Sequence, residues 1–130
     1  MTFKKSLLKN LKLGEPFPIF NKIKAFAAAV TESDPVTDMF ILNNASAAVT
    51  LSASALYNGK LYAVHSTLDA ASILAPSGWT FVLYNGGTLD ANNSGLTGGA
   101  GTNGWHCFFI PDEINKKLYV FAPDNVIGVA

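Results

Sequence analysis

Three runs of this chain have the length and composition of β-strands and are closed by turn residues. They are Trp79-Thr-Phe-Val-Leu-Tyr84, Trp105-His-Cys-Phe-Phe-Ile110 and Lys117-Leu-Tyr-Val-Phe-Ala122. Aromatic and β-branched residues in runs of this length suit a pleated, half-buried surface. Asn85-Gly-Gly87 ends the first run, and Pro111-Asp-Glu-Ile-Asn-Lys116 joins the other two as a hairpin loop. Val126-Ile-Gly-Val129 follows as a short final strand. Thr50-Leu-Ser-Ala-Ser-Ala-Leu-Tyr57 alternates strictly and meets Lys60-Leu-Tyr-Ala-Val-His-Ser66 across Asn58-Gly59. A type I′ turn at Asn58-Gly59 predicts a hairpin with Tyr57 opposite Lys60, Ala55 opposite Tyr62 and Ser52 opposite His65. Ile19 to Val30 alternates as a strand, although its alanines also suit a helix, and Thr31 to Pro35 reads as a turn. Thr67 to Ala75 reads as one or two helical turns capped by Thr67 and stopped by Pro76-Ser-Gly78.

The expected fold is therefore all-β. It is a small antiparallel sandwich or barrel of about seven strands, with an extended N-terminal arm and at most one short internal helix. At 130 residues the chain is long enough for one core. Residues 1–20 read as a basic arm and 21–130 as a single β domain.

The arm carries an unusual share of the charge. Lys4, Lys5, Lys9, Lys12, Lys22 and Lys24 face only Glu15 in the first 24 residues, which gives about +5, and the remainder carries about −5. Phe3, Leu7, Leu8 and Leu11 form one stripe of an amphipathic helix over 3–13, with Lys4, Lys5, Lys9 and Lys12 on the other side. An isolated helix of this length is marginal in water, so the stripe must dock to form. Gly14, Pro16 and Pro18 end it and force an extended stretch that includes Phe17 and leads to Phe20. A basic arm on an acidic, apolar body suits a neighbouring subunit, a membrane surface or nucleic acid. The chain has no arginine, the usual tool for bidentate phosphate and guanine contacts, which argues against specific nucleic-acid binding. Its longest apolar run, Ala25 to Val30, is too short to span a bilayer, and no signal-peptide core follows the N-terminal lysines. Only 14% of residues are charged. Such a surface is a poor solubiliser for a free monomer and points to a homo-oligomer.

Thr88 to Gly104 reads as a long Gly-rich loop, with Asn92, Asn93, Leu96 and Asn103 as its contact residues. Within it, Gly99-Ala-Gly-Thr-Asn-Gly104 matches the letters of a dinucleotide fingerprint but lacks the strand before it and the helix after it. Cys107 is the one cysteine, and His65 and His106 are the histidines. Adjacent strand residues face opposite ways, so His106 and Cys107 cannot share an ion. A Cys107–His65 catalytic pair across strands is geometrically allowed, against the plainer reading of a buried thiol. The acids Asp34, Asp38, Asp69, Asp90, Asp112, Glu113 and Asp124 fall mostly at turns, as backbone acceptors. No catalytic, metal or cofactor constellation is read. An enzyme is the least expected class.

The extended arm from Lys4 to Phe20, the body rich in Ala, Gly, Ser, Thr and Asn, and the apolar end Val126 to Ala130 together resemble the small structural proteins of tailed-phage virions, especially capsid decoration (cement) proteins. The resemblance implies a non-enzymatic virion component, assembled in a host cytoplasm, often trimeric, that reinforces contacts on the outer capsid lattice. Its partners would be copies of itself and the major capsid protein, with the arm docking by strand addition or by its Leu/Phe stripe. The rival expectation is a carbohydrate-binding β-sandwich module that uses exposed aromatics and the 88–104 loop.

Overall fold

The alternation of buried and half-buried residues in Met-Phe-Ile-Leu and Ala-Val-Thr-Leu sets up the first half of the molecule. Each such strand presents one face to a core and the other outwards. The computed structural model describes residues 20–85, 87–99 and 103–130. Its strands are β1 (Ile23–Phe26), β2 (Ala29–Glu32), β3 (Met39–Leu42), β4 (Ala48–Leu51), β5 (Tyr62–Ser66), β6 (Ser72–Leu74), β7 (Thr80–Asn85), β8 (Thr88–Asn93), β9 (Gly95–Gly98), β10 (Trp105–Asp112), β11 (Lys117–Asp124) and β12 (Val126–Val129). They form a larger sheet of order β1-β3-β5-β10-β11-β7-β8 and a smaller one of order β12-β9-β6-β4-β2.

The first six strands alternate between the two sheets. β1, β3 and β5 pair in parallel in the larger sheet, and β2, β4 and β6 pair in parallel in the smaller one. The chain thus winds around the core, laying one strand on each side per turn. The second half runs mainly in antiparallel pairs: β7 with β8, β10 with β11, and β12 with β9. β10 joins β5 antiparallel and β9 joins β6 antiparallel, which knits the two halves together in both sheets.

The core between the sheets is aromatic. Phe109 is fully buried and sits at its centre. Its ring stacks on Tyr62 at 5.2 Å, lies 6.5 Å from Phe40 and meets Phe81 edge-on at 5.8 Å. Phe26 extends the stack from Phe40 at 5.9 Å. Offset and edge-to-face rings add to the gain from burial alone. Val49, Leu51, Ile73 and Leu96 fill the opposing side from the smaller sheet.

The all-β class is as expected, and so are the strands at 79–84, 105–110, 117–122 and 126–129. Five expectations need correction. There are twelve strands among the described residues rather than about seven, and the sheets are mixed rather than antiparallel. The 50–66 hairpin does not form. Asn58-Gly59 does turn, with Lys60 N–H donating to the Tyr57 carbonyl at 3.2 Å. Only Gly59 has positive φ, 78°, whereas a type I′ turn needs it at both residues. The flanking strands therefore part, β4 to the smaller sheet and β5 to the larger. A 3-10 turn at Ala53–Ala55 takes up the slack, and the buried Tyr62 hydroxyl accepts from Tyr57 N–H and donates to the Ala55 carbonyl.

The short helix expected at 67–75 is absent, and β6 occupies its second half. Carbonyls that a helix would use are taken by tertiary donors. Thr97 Oγ1 donates to the carbonyls of Asp69 and Ala71, and Trp105 Nε1 donates to that of Ala71. Residues 88–93 and 95–98 of the expected 88–104 loop are strand, as β8 and β9. Gly95 and Gly98 within it serve close packing. A Cβ on Gly98 would lie 2.8 Å from both Asp69 Cα and Trp105 Cδ1.

Two lysines counted with the basic arm are neutralised on the body. Lys22 pairs with Asp34 at 2.6 Å and Lys24 with the buried Glu32 at 3.0 Å. Asp38, fully buried, accepts from the N–H groups of Asn21 and Lys22 at 2.8 and 3.0 Å and faces Lys60 Nζ at 3.5 Å. This fastens the chain where it runs into β1.

Two predictions follow from the packing and from the pair at the corner. Phe109→Ala should cost about 3–5 kcal/mol, read as a lowered midpoint in urea. The hydrogen bond from Lys22 holds the Asp34 carboxyl below its usual range, aided by Val36 N–H, and Asp34 in turn raises Lys22. A carboxylate with a depressed folded pKa contributes stability that is full above its unfolded value, about 4, and is lost as pH falls through the folded one. Lys22 contributes below the ordinary lysine range and loses its share as pH rises through its raised value. Asp34→Asn should therefore shrink the stability difference between pH 7 and pH 3, measured by urea unfolding at each pH.

Candidate interaction surface

Side chains on a strand alternate between faces, so the register of the larger sheet defines what it shows on the side away from the core. Trp105, Cys107 and Phe109 of β10 point into the core, which turns His106, Phe108 and Ile110 outwards. Across the sheet, Ile23, Met39, Ala63, Phe108 and Phe121 stand opposite one another in one row. Ile110, Tyr119 and Val82 form a second row, and Tyr84 faces Leu89 on the next pair of strands. These positions carry no charge across the seven strands of the sheet. Several are well exposed: Tyr84 66%, Ile23 62%, Leu89 58% and Phe121 51%. Ordinary monomers rarely leave so continuous an apolar patch open.

Polar groups frame this face at its two ends. At one, Asp112 accepts from the Asn115 side chain and from the Tyr119 hydroxyl, at 2.7 and 3.1 Å. These bonds, the Asn115 amide first, hold Asp112 below the usual carboxylate range, and the bond to Asp112 pushes the Tyr119 phenol up. At the other end, His65 and His106 are cross-strand partners with rings stacked at 6.3 Å. Ala122, at φ 47°, and Pro123 form a bulge that brings Asp124 beside His106, with Oδ2 3.7 Å from Nε2. His65, His106, Asp124, Asn103 and Asn125 line a shallow cleft there.

The sequence-derived contact residues are scattered by the fold. Phe3, Lys4, Lys5, Leu7, Leu8, Lys9, Leu11, Lys12 and Phe17 lie outside the described residues. Phe20 stacks on Phe108 at 6.4 Å, with the ring planes 8° apart, so the end of the arm rests on the outer face of the larger sheet. Asn92 is exposed on β8, and Asn103 sits in the cleft by the histidines. Asn93 and Leu96 are buried and offer nothing to a partner. Asn93 instead donates to the carbonyls of Phe81 and Asp90.

The Cys107–His65 pairing is also overturned. Cys107 stands opposite Val64 and points into the core, whereas His65 is exposed on the outer face. Burial pushes the Cys107 thiol up to about 12. Among the described residues no three His, Cys, Asp or Glu side chains come together in a way that could hold a metal ion, and no helix is long and apolar enough to cross a membrane. Sequence reading missed the His65–His106 pair and the apolar rows. Both depend on strands distant in sequence becoming neighbours, and no local signal reports that.

Comparison with protein-family models, with curated proteins and with solved structures finds no match.

The position of Cys107 makes a direct prediction. A thiol with a pKa near 12 is almost wholly protonated at pH 8, and the thiolate is the reactive form. An aromatic disulfide reagent at pH 8 should leave the native protein unmodified for hours and titrate one thiol on addition of denaturant. Rapid reaction of the native protein would show that the thiol is accessible.

Proposed function

We propose that this chain is a non-enzymatic structural subunit that binds neighbouring protein subunits through its β body and its N-terminal segment. The observation that supports this most is the outer face of the larger sheet. It is largely apolar, and Tyr84, Leu89, Tyr119 and Phe121 stand exposed on three adjacent strands. Tyrosine and phenylalanine anchors in an uncharged patch framed by polar residues are the make-up of a protein-binding surface. The narrower form of the reading is a virion component, a capsid decoration or cement protein that self-associates, with a trimer as the expected state, and binds the major capsid protein. The low charge of the chain and its basic N-terminal segment support that form.

A second reading has one observation in its favour. Tyr84, Tyr119 and Phe121 lie on neighbouring strands and could stack on sugar rings, as in a carbohydrate-binding module. It predicts retardation in gels containing soluble polysaccharide that Tyr84→Ala abolishes. The structural reading predicts no retardation.

The main test is association. Sedimentation of the wild-type chain and of Tyr84→Glu/Phe121→Glu across a wide concentration range should show an oligomer for the first. The variant should associate at least tenfold more weakly. Equal association of the two chains overturns the reading.

A further inference from the structure

His65 and His106 are the two histidines of the chain, and the fold sets them directly opposite each other on β5 and β10. Their rings stack with centroids 6.3 Å apart and planes 17° apart. Both are exposed on the outer face of the larger sheet. His65 stands two residues from Ala63, and His106 two residues from Phe108. That places the imidazoles about 7 Å from the row of Ile23, Met39, Ala63, Phe108 and Phe121. An ordinary protein contact covers about 800 Å² on each partner, far wider than this gap. A second copy seated on the apolar row therefore also covers the imidazoles.

The charges around the pair are unequal. On β11, Asp124 lies opposite His106, with Oδ2 3.7 Å from Nε2. On the other side, His65 faces Ile41 of β3 and, beyond it, Ala25 of β1, neither of which titrates. Lys24, next to Ala25, is paired with the buried Glu32. Asn103, Asn125, Ser66 and Thr67 line the cleft without charge, and the Asp69 carboxylate accepts from Gly104 N–H. Asp112 and Tyr119 are bonded to each other at the far end of the face. Among the described residues His65 has no ion-pair partner. A first proton on the pair is thus balanced by Asp124. A second sets two cations directly opposite on antiparallel strands, an unfavourable placement. Water screens that repulsion while the rings are exposed. Under a partner the screening is lost, and a buried unpaired charge is expensive.

We infer that His65 and His106 make self-association through this face pH-dependent: two copies join while the pair holds at most one proton and separate when it takes up the second. The inference rests on the structural reading above, with a second copy of the chain as the partner. Histidine is the side chain whose charge ordinarily changes between pH 5 and 8. Covering the pair favours its less protonated forms. Association is therefore full at the top of that range and is lost as pH falls through it, and dissociation takes up protons.

The test uses the full chain and two readouts. Sedimentation of the wild-type chain should give a dissociation constant at least tenfold higher at pH 5.5 than at pH 7.5. In His65→Gln/His106→Gln the ratio of the two constants should fall below threefold. Because the chain has two histidines, their Cε1–H signals in proton NMR report the pair directly on the wild type. Followed through pH, they should titrate with midpoints at least half a pH unit lower in concentrated, associated protein than in dilute monomer. Equal association at the two pH values overturns the switch and keeps the surface. Weakened association with unchanged histidine midpoints gives the effect to other groups and also overturns the switch. A monomer that unfolds at pH 5.5, read by its urea midpoint, does the same. No association at pH 7.5 at any concentration overturns the reading of the face itself, and the switch with it.

Discussion

Tyr62 and Phe109 stack 5.2 Å apart on adjacent strands, and around that contact two different ways of building a sheet are joined. Tyr62 belongs to the half of the chain that winds between sheets, and Phe109 to the half that runs in hairpins. Their strands pair antiparallel at the centre of the larger sheet, while Phe40 and Phe81 pack on Phe109 from either side. Neither half has a complete core of its own. The winding half lacks Phe81, Phe109 and Leu118, and the hairpin half lacks Phe40, Leu51 and Ile73.

The same sheet has two faces of contrasting character, and strand parity alone separates them. On β10 the core-facing residues are Trp105, Cys107 and Phe109, and the outward ones are His106, Phe108 and Ile110. In most half-exposed antiparallel sheets the outward set is polar. Here it is largely apolar, and the charges lie at the ends of the rows. That inversion is the physical basis for reading the face as a contact surface. It also explains how a chain with 14% charged residues can spend few of them there. The carboxylates and lysines are concentrated at the Asp34–Glu32–Asp38 corner and at the turns, where they tie backbone to backbone.

What could be read from the sequence was local. Trp79 to Tyr84, Trp105 to Ile110 and Lys117 to Ala122 declared themselves because strand composition and turn residues agree within a dozen positions. The winding half was illegible for the opposite reason. Its partners, such as Ile23 with Met39 and Ala48 with Ser72, are parallel strands separated by a visit to the other sheet, and no tight turn marks their register. Asn58-Gly59 misled because the turn is present but of the wrong hand for a hairpin. The glycines of 95–98 misled because contact with Leu74, Asp69 and Trp105, not freedom, requires them. Of the candidate surface, only Phe20 and the aromatic runs could be named in advance. Their grouping on one face needed the strand order.

The strand order has a consequence for the order of events during synthesis. β5, the third strand of the winding half, is flanked by β3 on one side and β10 on the other, and β6 is flanked by β4 and β9. As the polypeptide leaves the ribosome, its first six strands emerge with parallel neighbours but with open inner edges and half a core. The β6 edge cannot close until Gly95 to Gly98 has cleared the exit tunnel, nor the β5 edge until Trp105 to Asp112 has. Pairings this distant in sequence close slowly, and uncovered strand edges invite pairing between nascent chains. The nascent chain is therefore most exposed to misassociation just before its last quarter appears, and a chaperone that binds extended apolar segments would act on it in that interval.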